Sequence, residues 1–421
     1  MATVTRKIGL SLGADICWPI CYEEIVKKLG LPVEVERVTI EPFDLRQPCR
    51  YDVVLDRLTH WYHTSREWIK KSIVMDGLYV LNNPWSVQSM EKHTTYSAMM
   101  HLGMPIPDTW MVPPKTYEPL ADLQPTLKNY AKLFDLGAIA KQMGYPLFMK
   151  PYDGGGWKGV SKIDNEAKLK SAYEESGKLV MHLQKAVDPF DSFVRCIGIG
   201  PQTRLVKYNP GAPLHDRYTM EKNFVSDDEA KILRDTTLTI NAFFGWDFNS
   251  CEALRKTNGG SPAGSAGRGA EPGEATWYPI DFANPCPDSQ VTSLHYHFPW
   301  LVISNIRWSL FCAMTKRPFR RTLDWDPWYA IAKKEMPYRE KLREYAKVAE
   351  ERFDLARFEE WNAKELKHLD EVAWEFFGTP VARDAMRQKV AALFPQHEIE
   401  QFTELFWNRV QAWRADQKGA S

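Results

Sequence analysis

Over residues 1–90 short apolar runs alternate with amphipathic stretches, and that alternation narrows the folds open to this chain more than any other feature. KIGLSLG (7–13), PVEVERVTI (32–40), YDVVLDRL (51–58) and LYVLNNP (78–84) read as strands. CYEEIVKKLG (21–30), closed by a glycine, and REWIKKSIVMDG (66–77) read as helices between them. Strands separated by helices predict an open parallel sheet, because parallel neighbours need a crossover connection.

A second pattern follows. QSMEKHTTYSAMMHLG (88–103) and LGAIAKQMG (136–144) predict helices. YPLFMKP (145–151), VSKI (160–163), KLVMHLQKAV (178–187), SFVRCIGIG (192–200) and RLVKY (204–208) predict strands. NEAKLKSAYEES (165–176) is an amphipathic helix with an Asx start. Residues 228–245 predict a further helix, and FNSCEALRK (248–256) and TWYPIDFAN (276–284) a pair of strands. The segment between those strands, 257–275, is rich in Gly, Ser, Ala and Pro and reads as a flexible loop. From about residue 325 the pattern is helical. Tyr338, Leu342, Tyr345 and Ala349 share one stripe, Leu366, Leu369, Ala373 and Phe376 a second, and Phe402, Leu405, Phe406 and Trp413 a third. Such stripes are packing surfaces. The expected organisation mixes α/β and α+β: an N-terminal open αβ domain (1–90), a central region (91–320) and a helical C-terminal region (321–421).

Composition excludes several functions. Of the 421 residues 44% are hydrophobic and 26% charged, which suits a packed globular chain and not a disordered one. Lys+Arg and Asp+Glu both number 54, so nothing favours a general electrostatic grip on nucleic acid or an anionic membrane. No run of 18 apolar residues predicts a membrane span, and the start does not read as a secretion signal. The seven cysteines are scattered without a CxxC pair, as expected of reduced thiols in the cytoplasm.

Two segments could carry chemistry. In Pro146–Ile163 a lysine, Lys150, ends an apolar strand and runs into Asp153-Gly154-Gly155-Gly156-Trp157-Lys158-Gly159. A buried ammonium needs a partner, and phosphate is a natural one. Glycines let backbone N–H groups close over phosphate oxygens. The second segment is the strand pair bearing Glu252 and then Asp281-Phe282-Ala283-Asn284. Oxygen donors gathered at strand ends suit Mg²⁺. Elsewhere the plainer roles are expected: a salt bridge for Arg57, a solvated loop for His215, packing for Cys251, and no third metal ligand beside His295 and His297.

Taken together these segments resemble the ATP-grasp superfamily, in particular its carboxylate–amine ligases such as D-alanine–D-alanine ligase, glutathione synthetase and the RimK-like ligases. The order of features over about residues 50–290 carries the resemblance: an αβ domain, a helix with a lysine, Leu102-Gly103-Met104-Pro105-Ile106-Pro107-Asp108-Thr109, Lys150-Pro151 before a glycine loop, a hinge strand, then the acidic strands. The resemblance implies an ATP-grasp fold behind a pre-ATP-grasp domain. It puts Lys92 near the α-phosphate and Lys150 on the α- and β-phosphates, with Gly154, Gly155, Gly156 and Trp157 in the phosphate-covering loop. Gln184, Lys185, Ala186 and Val187 become the adenine hinge and Asp191 the ribose acid. Glu252, Asp281 and Asn284 become metal ligands, and Arg217 and Arg255 supply positive charge at the transferred phosphate.

One departure has a geometric consequence. The family pattern is Glu-x-Asn, whereas Asp281 and Asn284 are three residues apart. In a strand of period two that spacing sends the side chains to opposite faces, so a bulge or a strand end is needed here. The implied activity is ATP-dependent ligation of a carboxylate to an amine, with Mg²⁺ (or Mn²⁺) as metal and small-molecule or peptide substrates. No nucleic acid or membrane partner is expected, and a homodimer is compatible. A phosphotransferase and a nucleotide-binding protein without turnover are the alternatives.

Overall fold

The computed structural model describes residues 5–60, 62–89, 91–153, 157–256 and 276–419. Gly154, Gly155 and Gly156 of the glycine loop, and the loop 257–275, lie outside the described residues. Among the described residues twelve strands run in chain order: β1 (Arg6–Ser11), β2 (Val33–Arg37), β3 (Val53–Asp56), β4 (Tyr79–Leu81), β5 (Thr109–Val112), β6 (Leu147–Pro151), β7 (Ser161–Ile163), β8 (Met181–Lys185), β9 (Ser192–Ile199), β10 (Gln202–Lys207), β11 (Phe248–Lys256) and β12 (Thr276–Asp281). The chain forms two compact units. One comprises Met1–Ser89, Val194–Cys251 and Asn284–Ser421, the other Met90–Phe193 and Glu252–Ala283.

In the first unit β2-β1-β3-β4 form a wholly parallel sheet, with Ile8 opposite both Val35 and Val53. Ile8, Leu10, Val53, Val54, Leu55 and Val80 are buried, the near-continuous apolar runs of a sheet covered on both faces. The helix Cys17–Leu29 turns Trp18, Cys21, Tyr22, Ile25 and Val26 inward and stops at Gly30, whose φ of 66° a glycine adopts without strain. Helix Asp227–Phe244 opens with a capping box between Ser226 and Glu229.

The helix Phe298–Met314 lies in the core, with Leu301, Val302, Ile306, Trp308, Leu310 and Phe311 all buried. It was not among the expected elements. Buried on nearly every side, with its few polar residues scattered among apolar ones, it offers no amphipathic stripe to read. The C-terminal helices join the same unit: Cys17–Leu29 packs against Leu369–Phe376 and Pro380–Ala391, and Lys389 Nζ donates to Ala14 O at 3.1 Å. The stripe from Leu366 to Phe376 belongs to two helices, since Leu355–Glu365 ends at Leu366 and the next begins at Leu369.

In the second unit β5-β8-β6-β7 form an antiparallel sheet. One face carries Val112, Leu147, Met149, Ile163, Met181 and Leu183, packed with Ala140 of Leu136–Met143 and Leu169 of Glu166–Ser176. The Asx start is present, Asn165 accepting from Lys168 N–H. Strand alternation sends Phe148, Lys150, His182 and Gln184 to the opposite face. Within the segment 88–103 the helix runs over Lys92–His101, and the short helix Pro84–Ser89 before it belongs to the first unit. All seven cysteines are free thiols. Among the described residues no helix is long and apolar enough to cross a membrane.

Candidate functional site

On the open face of the second unit's sheet, two lysines from different elements meet one acidic strand end. Lys92 is the first residue of Lys92–His101, and its Nζ lies 3.4 Å from Asp281 Oδ2. Lys150, near the end of β6, donates from Nζ to Gln184 Oε1 at 2.8 Å and to Ile280 O at 3.4 Å. Gln184 in turn donates from Nε2 to Thr109 Oγ1 at 2.9 Å, and Tyr96 donates to Ile280 O at 2.7 Å. Burial pushes the Lys150 ammonium below the ordinary lysine range; Asp281 opposes that shift, Lys92 adds to it and Glu252 opposes it. Both ammoniums therefore share one low-dielectric neighbourhood with two carboxylates.

Local geometry in β11 and β12 turns on a bulge. Glu252 pairs with Asp281, yet Ala253 pairs with Pro279, so Ile280 is the extra residue. β12 then ends at Asp281. The strand end after Asp281 is the device that the Asp281–Asn284 spacing needs, whereas the bulge at Ile280 precedes both residues and sets only the facing of Asp281 and Glu252. Glu252 is 6% exposed, which suits an oxygen ligand screened from bulk water.

The remaining candidates divide. Asp191 and Arg255 engage each other: Arg255 Nε donates to Asp191 Oδ1 at 2.8 Å, and Asp191 N–H to Arg255 O at 3.1 Å. Lys185, alternate to Gln184 along β8, donates from Nζ to Gly144 O at 2.6 Å and Tyr145 O at 3.2 Å. Ala186 N–H donates to Pro146 O at 3.1 Å, and Val187 is buried. Trp157 is exposed, with φ 64°. Arg217 and Asn284 belong to the first unit. There Arg217 Nε donates to Ala212 O at 3.1 Å, while Asn284 donates from Nδ2 to Ser250 O at 3.1 Å and from its N–H to Asn249 Oδ1 at 2.9 Å.

Sequence reasoning missed two histidines. His182, fully buried, sits opposite Lys150 in the β6–β8 register, and neither ring nitrogen has a hydrogen-bond partner among the described residues. His93 lies edge-on to it at 4.4 Å between ring centroids and stacks on Tyr152 at 6.1 Å. Burial, then the charges of His93, Lys150 and Lys92, drive the His182 pKa down to about 2. The signal was available: His182 precedes Gln184 by two residues and so shares its strand face.

Arg57 and Cys251 occupy the plainer roles expected of them, whereas His215 is not a solvated loop residue but lies in the short helix Leu214–Asp216, partly buried. Arg57 Nε pairs with Asp15 Oδ2 at 3.3 Å, both buried. His215 packs on Phe402, and Cys251 is buried. Among the described residues no three His, Cys, Asp or Glu side chains gather as a metal set, so Glu252 and Asp281 stand as a pair.

No protein-family model matches the chain, and no curated protein sequence matches it. Solved structures do. D-alanine–D-alanine ligase from Bacillus anthracis, complexed with ATP, is 12% identical over 74% of this chain and 98% of its own, with a TM-score of 0.48. A RimK domain ATP-grasp protein from Sphaerobacter thermophilus is 11% identical over 71% of this chain and 97% of its own, TM-score 0.47. VanG D-Ala:D-Ser ligase from Enterococcus faecalis is 11% identical over 82% of this chain and 99% of its own, TM-score 0.46.

Proposed function

We propose that the chain is an ATP-dependent carboxylate–amine ligase releasing ADP and phosphate. One observation carries this reading: Lys92 and Lys150, from separate elements, converge on the Asp281 end of β12 opposite Glu252. Burying two ammoniums side by side is costly unless an anion joins them. A polyphosphate between the lysines, with a hard cation on the carboxylates, satisfies both sets of charge. Glu252 and Asp281 would hold Mg²⁺, which when bound neutralises charge on phosphate oxygens.

In the first step a substrate carboxylate oxygen attacks the γ-phosphorus, the bond to the β,γ-bridging oxygen breaks, and ADP leaves. The acyl-phosphate then loses phosphate to an attacking amine, whose proton passes to solvent. Lys150 holds charge on the α- and β-phosphates, Lys92 orients the α-phosphate, and Arg255 is the cation of this unit assigned to the transferred group. The work is placement and charge stabilisation, and no side-chain nucleophile is needed. ADP and phosphate release, measured across a panel of carboxylates with and without amines, tests this. Release that needs both co-substrates supports ligation. ADP formation without free phosphate points instead to a phosphotransferase, and nucleotide affinity without turnover to a binding protein.

A further inference from the structure

The first unit also holds a solvent-open cleft with a cavity volume of about 50 Å³, lined from β4, from the turn after Asp227–Phe244, and from the segment 315–325 that follows Phe298–Met314. Arg317, Arg320 and Arg352 line it, with a single carboxylate, Asp247. That carboxylate is engaged within the protein: its Oδ2 accepts from the Tyr79 hydroxyl at 2.6 Å and from the Trp308 indole N–H at 2.8 Å. Burial raises its proton affinity, which weakens it further as a counter-charge.

Two of the guanidiniums are held rigidly. Arg317 donates from Nε to Tyr79 Oη at 3.3 Å and from Nη2 to Arg352 O, with its head over Trp308. Arg352 donates to Leu323 O and Asp324 O, with its head over Trp328. Their side chains are only 11% and 9% exposed. The acids nearest them outside the lining are Asp354, 3.8 Å from Arg317, and Asp324, 3.4 Å from Arg352. These bonds explain Arg317 and Arg352 as pins of the 315–325 segment, but they do not explain Arg320. It is exposed, and among the described residues no carboxylate or carbonyl engages it. Its charge adds to burial in pulling Arg352 down to about 10. Like charges on one cleft wall repel strongly at low dielectric, and an anion seated there removes the repulsion.

We propose that this cleft is a second anion site, separate from the Lys92–Lys150 cluster, that takes a phosphate group, free or carried on a small phosphomonoester. The Arg320 guanidinium can offer a dianion a bidentate pair, while the pinned Arg317 and Arg352 add positive charge beside it. Phe319 and Phe353 in the lining give an ester's carbon body an apolar wall.

Calorimetric titration of the full chain with inorganic phosphate and with glycerol 3-phosphate tests this, using wild type, Arg320→Ala, Arg320→Lys and Lys150→Ala. Saturable binding is expected, with one component weakened about tenfold or more by Arg320→Ala and partly restored by Arg320→Lys, a component that Lys150→Ala retains. Arg320 is exposed, so its variants fold as wild type does. A tighter fit of the ester marks a covalently carried phosphate; equal or tighter binding of inorganic phosphate marks the free ion. The proposal is overturned if Arg320→Ala binds like wild type, if only Lys150→Ala loses binding, or if nothing saturates by about 10 mM.

Discussion

Lys150 Nζ donates to Gln184 Oε1 at 2.8 Å across the β6–β8 pair, so the proposed phosphate lysine is tethered by the residue assigned to adenine. Gln184 is fixed at its other end by Thr109, and the tether therefore sets where the ammonium sits. Lys150→Ala should weaken binding of a non-hydrolysable ATP analogue by roughly 10- to 100-fold, the worth of one or two charge-assisted hydrogen bonds. Gln184→Leu keeps the charge and loses only its placement, so a smaller loss is expected. Calorimetry on both variants checks the order; an analogue affinity untouched by Lys150→Ala would remove the phosphate assignment.

Glu252 and Asp281 stand opposite each other because Ile280 bulges out of β12. Changing either acid to its amide removes one negative oxygen while preserving shape. Glu252→Gln and Asp281→Asn should each raise the Mn²⁺ concentration needed to saturate the protein–nucleotide complex by about tenfold or more, since even outer-sphere partners of a metal cost that much. Electron paramagnetic resonance of free Mn²⁺ reads the occupancy directly. Unshifted titrations in both variants would place the metal elsewhere.

What sequence could and could not convey follows from the range of the interactions. The parallel sheet and the helix stop at Gly30 were readable, because strand runs, crossover helices and a left-handed cap are local patterns. Lys150 stood out as a charge at the end of an apolar strand. The Asp281–Asn284 spacing called for a bulge or a strand end between them, and the strand does end at Asp281. The helix Phe298–Met314 was invisible, because a helix buried on all sides has no polar face to set its period. The Arg255–Asp191 ion pair joins residues 64 apart and depends on strand placement that no local pattern encodes. His182 was overlooked although the strand period put it beside Gln184.

Gly200 offers a stability test within the first unit. Its φ is 55°, and a Cβ added there would lie 2.4 Å from the Trp308 ring, itself fully buried. Gly200→Ala therefore combines an unfavourable backbone conformation with overpacking against an indole that cannot yield. A loss of about 3 kcal/mol is expected, read as a lower urea midpoint at unchanged m-value. A variant as stable as wild type would show that the backbone approach to Trp308 is loose.

His182 predicts the direction of the pH dependence. Its pKa falls from the ordinary 6.5 to about 2 in the folded chain, chiefly through burial, with His93, Lys150 and Lys92 adding positive charge around it. Above pH 6.5 the ring is neutral in both states and its contribution to stability is constant. Below that value the unfolded chain takes up a proton that the folded chain refuses, so stability falls as pH drops from about 6.5 toward the folded value. The slope approaches about 1.4 kcal/mol per pH unit for one group. His295 and His297 are depressed by burial as well, to about 2 and about 4, so wild type should lose stability more steeply than this single site requires. Replacing His182→Gln removes one titrating ring. Urea midpoints between pH 7 and pH 5 should then decline less steeply than in wild type, by close to one proton. Identical slopes would mean that His182 takes up its proton without unfolding, and that water or a ligand reaches its ring in solution.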